Sequence, residues 1–240
     1  MLERGFKTAQ KLIGNKDNVK QVAIQRAWEI LKAAGVVDPR LEAASRVDLR
    51  QQAYDLLLQV RKPSPAEKKA LLEKKGLVFL PVQEISLSQL IAENQDYFWS
   101  GDLEYINSKT QLRDYSLPAI EVALNPTELA LPDSFDKSRS TQLAMIEGYS
   151  KKQVETEFPD AKAIMLPAVG YAQADKVYKE TTGEVLFKTF FARVLDNTSG
   201  VGATGVGRVH PDGRLLVHVW RAGDGNGSVG AVPAVVFLRK

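Results

Sequence analysis

Through the first third of the chain, apolar residues recur at helical spacing. In "NVKQVAIQRAWEILKAAG", Val19, Val22, Ala23, Ala27, Ile30, Leu31 and Ala34 share one face, and Gly35 follows as a C-terminal cap. Asp38-Pro39 supplies an N-cap and a first-turn proline for a second helix running to about Val60. A third begins at Ser64-Pro65, where Glu67 completes a capping box with Ser64, and ends at Gly76. Helices this short need an apolar partner, so they pack on one another or on the remainder of the chain.

At "LVFLPV" the pattern changes to a short apolar run of strand formers, and Ser86 to Asn94 returns to helix with Ser86 and Gln89 as a capping box. "PAIEVALNPTELALPDS" alternates and breaks at Asn125-Pro126, which predicts a hairpin or two short extended pieces. Ser134 to Glu157 reads as helix with Ser134 as its N-cap, and Pro167 to Thr182 reads as a further helix closed by Gly183. The remainder reads as strands: "EVLFKTFFARVLD", "GVGRVH", "RLLVHVW" and "VGAVPAVVFLR", joined by glycine-rich or Pro-Asp-Gly turns. The expected fold class is therefore α+β. An N-terminal helical segment, residues 1–76, precedes a mixed domain, residues 77–240, whose antiparallel meander at 184–239 is flanked by helices.

Composition narrows the chemistry. The 240 residues contain no cysteine, which excludes disulfides, thiolate nucleophiles, zinc–cysteine sites and iron–sulfur clusters. The start "MLERGFKTAQ" is charged where a signal peptide is apolar, and the longest apolar run, "AIMLPAVGYA", spans about half a membrane and contains proline. The expectation is a cytoplasmic protein with no membrane partner. Net charge is +3, unevenly placed: residues 1–75 carry 16 Lys and Arg against 9 Asp and Glu, which leaves the rest net acidic. A basic segment attracts nucleic acid or an acidic protein partner, although so mild an excess also fits a solvated helical face.

"GVGATGVGRV", Gly200 to Val209, resembles two nucleotide loops at once, because Gly200, Gly202 and Gly205 fit G-x-G-x-x-G and Gly202 to Arg208 nearly fits a P-loop. Such loops work by feeding a helix whose N-terminus faces the phosphate. Here Pro211-Asp212-Gly213 and an alternating strand follow, and Arg208 and Val209 replace the Lys and Ser/Thr of a P-loop. The glycines are expected to be a flexible or bulged strand connection, and no cofactor is expected.

Other signatures are incomplete. Ser134 to Lys137 matches S-x-x-K without its companion motifs, and Ser150 in "GYSKK" lacks the second glycine of a nucleophile elbow. The loop from Asp224 lacks the bidentate carboxylate of a calcium site. If Pro211 to Gly213 is a tight turn, His210 lies opposite Arg214 and His218 opposite Val206, roughly 13 Å apart at about 3.3 Å per residue. They cannot share one metal ion. No catalytic residue emerges.

The same hairpin yields the candidate binding residues. Alternation places Val209, Leu215, Val217 and Val219 on a core face and collects Arg208, His210, Arg214, Leu216, His218 and Trp220 opposite. Guanidinium, imidazole and indole groups on one sheet face can stack on bases or hold anions, while a covering helix would turn the same residues into core and rim. The expected function is a non-catalytic binding or interaction protein, recognising nucleic acid or an acidic partner through Arg208, His210, Arg214, His218 and Trp220. A hydrolase or transferase with an unsigned active site and a structural assembly subunit are the alternatives.

Overall fold

The computed structural model describes residues 54–60, 63–99, 101, 106, 108, 110–198, 202–208, 213–221 and 226–239. These lie within one compact unit, Ala43–Lys240. The two expected N-terminal helices fall outside the described residues, except that 54–58 are helical. No helix among the described residues is long and apolar enough to cross a membrane.

Helices and strands combine in an α+β arrangement of two four-stranded sheets. The first joins β1 (Val78–Val82), β2 (Ile120–Leu124), β8 (Ala234–Phe237) and β3 (Ala161–Ile164), in that order and all antiparallel. The second has the order β6 (Leu216–Arg221), β5 (Gly202–Gly207), β4 (Phe191–Thr198), β7 (Val229–Gly230). Here β4 runs antiparallel to β5, and β5 to β6, but β4 pairs with β7 in parallel. The last strand expected in the meander thus divides: Val229–Gly230 stays in the second sheet, and Ala234–Phe237 crosses to become an inner strand of the first. The segment 184–190, expected as strand, precedes β4, with Leu186 and Phe187 buried.

Local signals account for most helix ends. Helix α1 (Ala66–Lys74) ends where Gly76, at φ +85°, lets the Leu77 N–H reach back to the Leu72 carbonyl. Its start departs from expectation, since Pro65 is the N-cap and the Ser64 N–H instead donates to Glu121 on β2. In α2 (Leu87–Glu93) the Ser86/Gln89 capping box is complete. A single turn, α3 (Thr110–Arg113), precedes β2. Helix α4 (Arg139–Tyr149) begins at Ser138, whose hydroxyl accepts from Thr141, and runs into a π-turn, Ser150–Val154. Ser134, the expected cap, is fully buried and accepts from the Ala231 N–H, because the chain returning toward β8 offers an unpaired donor there.

Helix α5 (Ala168–Thr182) closes at Gly183 in the left-handed region, as its sequence predicts, and packs on β1 of one sheet and on β4 and β5 of the other. Ala168 through Asp175 are all buried, so this half of α5 forms the centre of the core. Its N-cap is Pro167, which has no side-chain oxygen; Asp196 of β4 supplies one by accepting from the Ala168 N–H. Asp196 can do so because the β4–β5 pairing is irregular between Arg193 and Asn197. Leu57, Val60 and Leu72 join the same core.

The glycine-rich stretch is itself a central strand. β5 needs glycine at Gly207, where a Cβ would lie 2.4 Å from the Phe190 carbonyl oxygen and 2.9 Å from the Phe191 ring. Gly148 in α4 has nothing within 4 Å of the equivalent position. Gly207→Ala should destabilise the protein by about 1–3 kcal/mol through overpacking against backbone, whereas Gly148→Ala should be neutral or stabilise it by up to about 1 kcal/mol. Urea unfolding midpoints of the two variants check the contrast; equal effects would remove the steric account of β5.

Candidate functional site

The β5–β6 hairpin is offset by one residue from the register that a tight Pro211–Gly213 turn implies. Pairing runs from Gly202↔Arg221 to Gly207↔Leu216, so His218 faces Gly205 and not Val206. Beyond Gly207 the ladder gives way to other bonds. Leu215 donates to the Tyr97 carbonyl and accepts from the Trp99 N–H, both at 3.0 Å, so this end of the strand is held by the neighbouring 97–99 segment. One residue of offset reverses the face of everything on the other strand.

Arg208 therefore points to the core side. Its Nε and Nη2 donate to Asp175 Oδ2 at 3.0 and 2.9 Å, and Nη1 donates to the Gly213 carbonyl. The guanidinium also lies 4.4 Å from the centre of the Tyr97 ring. The Tyr97 hydroxyl donates to the same carboxylate oxygen at 2.7 Å, and burial together with the Asp175 charge pushes its pKa up. Asp175 Oδ1 accepts from the Leu186 N–H at 2.7 Å and more weakly from the Phe187 N–H at 3.4 Å. Arg208 and Asp175 are both buried, so the arginine is occupied inside the fold.

The other candidates differ in exposure. Arg214 is half-buried and His218 is exposed. Burial of part of the imidazole holds the His218 pKa below its ordinary value. Leu216, expected on the same face, packs with Phe191, Val229 and Trp99 in a small cluster outside the main core, and the Phe191 ring lies 6.4 Å from His218. Trp220 pairs with Ala203 in the ladder. His210 lies outside the described residues.

A second buried polar group has no counterpart in the sequence reading. Arg193 of β4 is 0 % exposed. Its Nε donates to Gln142 Oε1 at 2.9 Å, and the Gln142 Nε2 donates to the Ser134 and Val229 carbonyls, each at 2.8 Å. Among the described residues its Nη1 and Nη2 have no hydrogen-bond partner. Burial alone pushes its pKa down to about 10, so it stays charged at neutral pH. In sequence it sits in "FFARVLD", an apolar strand pattern where one arginine reads as an outward-facing residue.

The hydroxyl of Ser150 is used structurally: it accepts from the Ala163 N–H of β3 at 2.9 Å and donates to Glu155 at 2.6 Å. An open cleft of about 610 Å³ is lined by Glu84, Ser86, Ser88, Gln89, Asp114 and Ser116. Two of its groups are engaged in the α2 capping box, and Asp114 pairs with Arg113. Among the described residues no group of three or more His, Asp or Glu is placed to hold a metal ion.

Removing one member of the Asp175–Arg208 pair leaves an uncompensated buried charge. Asp175→Ala should destabilise the protein by about 3–5 kcal/mol, and adding Arg208→Met should recover part of that loss instead of adding to it. Chemical denaturation of the two single variants and the double checks the cycle; strictly additive losses would mean that the pair is not coupled. The chain matches no protein-family model, no curated protein and no solved structure, so only its own geometry bears on what it does.

Proposed function

We propose that this protein is a non-catalytic binding protein that recognises a polyanion, nucleic acid before other acidic partners, through the outer part of the β5–β6 hairpin. The observation that supports this reading is the position of Arg214 and His218, the first half-buried just before the edge strand β6 and the second exposed on it. Trp220, two residues beyond His218 on the same strand, is of the residue type on which bases stack. Arg208 drops out of the binding set because its fork is filled by Asp175. The basic excess of residues 1–75 favours the same class of partner by long-range attraction.

The reading is tested by fluorescence anisotropy with a single-stranded oligonucleotide across a salt series. Affinity should fall steeply from low to physiological salt, because each neutralised phosphate releases condensed counterion. Arg214→Ala should lower the salt slope by about one unit, and Trp220→Ala should remove roughly 1–3 kcal/mol of binding. Absent or salt-independent binding, or an Arg214→Ala variant that binds as the unsubstituted protein does, would remove the proposal.

A further inference from the structure

Arg193 presents an electrostatic problem that the described fold leaves unsolved. A guanidinium carries five N–H donors. One, on Nε, is taken by Gln142, and the four on Nη1 and Nη2 are unpartnered among the described residues at 0 % exposure. Withdrawing a cation from water without a counter-charge costs several kcal/mol, which an interior position has to recover from some interaction.

The group is also held in one orientation. Gln142 accepts from Nε while its own amide is fixed by the Ser134 and Val229 carbonyls, so α4, the turn before it and β7 together set the angle of the guanidinium. With the Nε edge filled, the end-on pair Nη1/Nη2 is the fork that remains. That fork matches the two oxygens of a carboxylate or phosphate through parallel N–H···O bonds. Arg193 pairs with Gly205, which pairs with His218, so a row crosses the sheet from the buried guanidinium, through a residue with no side chain, to an exposed imidazole.

We propose that Arg193 anchors a binding site for a small oxyanion, whose two oxygens take the Nη1/Nη2 fork. This goes beyond the polyanion reading and does not depend on it: the anchor is a different residue, and the ligand is one small group and not a chain of phosphates.

Thermal melts of the full-length chain in sodium phosphate and in sodium acetate, against sodium chloride at equal ionic strength, provide the test. Phosphate or acetate should raise the melting temperature, by about 5–10 °C near a hundredfold excess over Kd, and the more effective anion distinguishes phosphate from carboxylate chemistry. Phosphate also stabilises proteins generally by exclusion from their surface, so the decisive quantity is the difference between variants. Arg193→Met, close in volume and uncharged, should lose the specific response and melt in chloride no lower than the unsubstituted protein. Arg214→Ala should keep the full response. If Arg193→Met does not fold, Arg193→Lys decides: it keeps the charge and loses the fork, so its response should be several-fold weaker. No specific response in the unsubstituted protein, or an unchanged response in Arg193→Met or Arg193→Lys, overturns the proposal.

Discussion

Five hydrogen bonds converge on the carboxylate of Asp175, and the second sheet is joined to the central helix through them. Arg208 contributes two from the end of β5, Tyr97 one from the segment that also holds Leu215, and the Leu186 and Phe187 amides two from the chain entering β4. Each donor comes from a part of the chain distant from the helix in sequence or in direction. A buried carboxylate that accepts this many bonds, one pair from a guanidinium, repays much of its desolvation. It also fixes where those parts can sit: β5 must end with Arg208 turned inward, and the chain must bend at Leu186 before β4 begins.

This constraint explains the hairpin. A tight turn at Pro211–Gly213 would set Arg208 opposite Leu216 on the outer face, but the inward pull on Arg208 and the backbone bonds of Leu215 to Tyr97 and Trp99 hold the strands one residue out of that register. In a sheet the side-chain period is two, so this single step is enough to move one arginine from a prospective surface to the core.

How much of the fold was legible in the sequence depends on the range of the interactions. Gly76 and Gly183 end helices because only the adjacent turn matters there, and the Ser86/Gln89 box spans three residues. β1 and α5 are legible for the same reason, and so is β2 as far as Asn125-Pro126, beyond which the expected second extended piece is not a strand. Ser134 and Ser138 show the limit: either hydroxyl can cap a helix locally, and the choice fell to Ser138 because Ser134 is bonded to Ala231, far along the chain. β3 is not legible, since "AKAIML" is too short to separate strand from buried helix by periodicity, and its partner β8 lies seventy or more residues away. For the candidate binding residues, alternation needs a register that only tertiary contacts supply.

Two of the buried arginines, Arg208 and Arg193, put the chemistry of the site in contrast. Arg208 and Arg193 lie on opposite faces of the same sheet, each withdrawn from water and each oriented by a neighbouring helix, Arg208 by α5 and Arg193 by α4. Around Arg208 the fold supplies a carboxylate, a carbonyl and an aromatic face, so its charge serves the architecture and its donors are spent. Around Arg193 the described residues supply one neutral amide oxygen, enough to aim the guanidinium and too little to neutralise it. An aliphatic side chain would fill a purely structural position there without the desolvation penalty, which replacement of buried ion pairs by apolar residues shows to be generally tolerated. A cation that is held in one orientation, charged at neutral pH and left with Nη1 and Nη2 unpartnered among the described residues has the physical properties of a binding group, and the difference between the two arginines lies in what the fold provides around each and not in the residue itself.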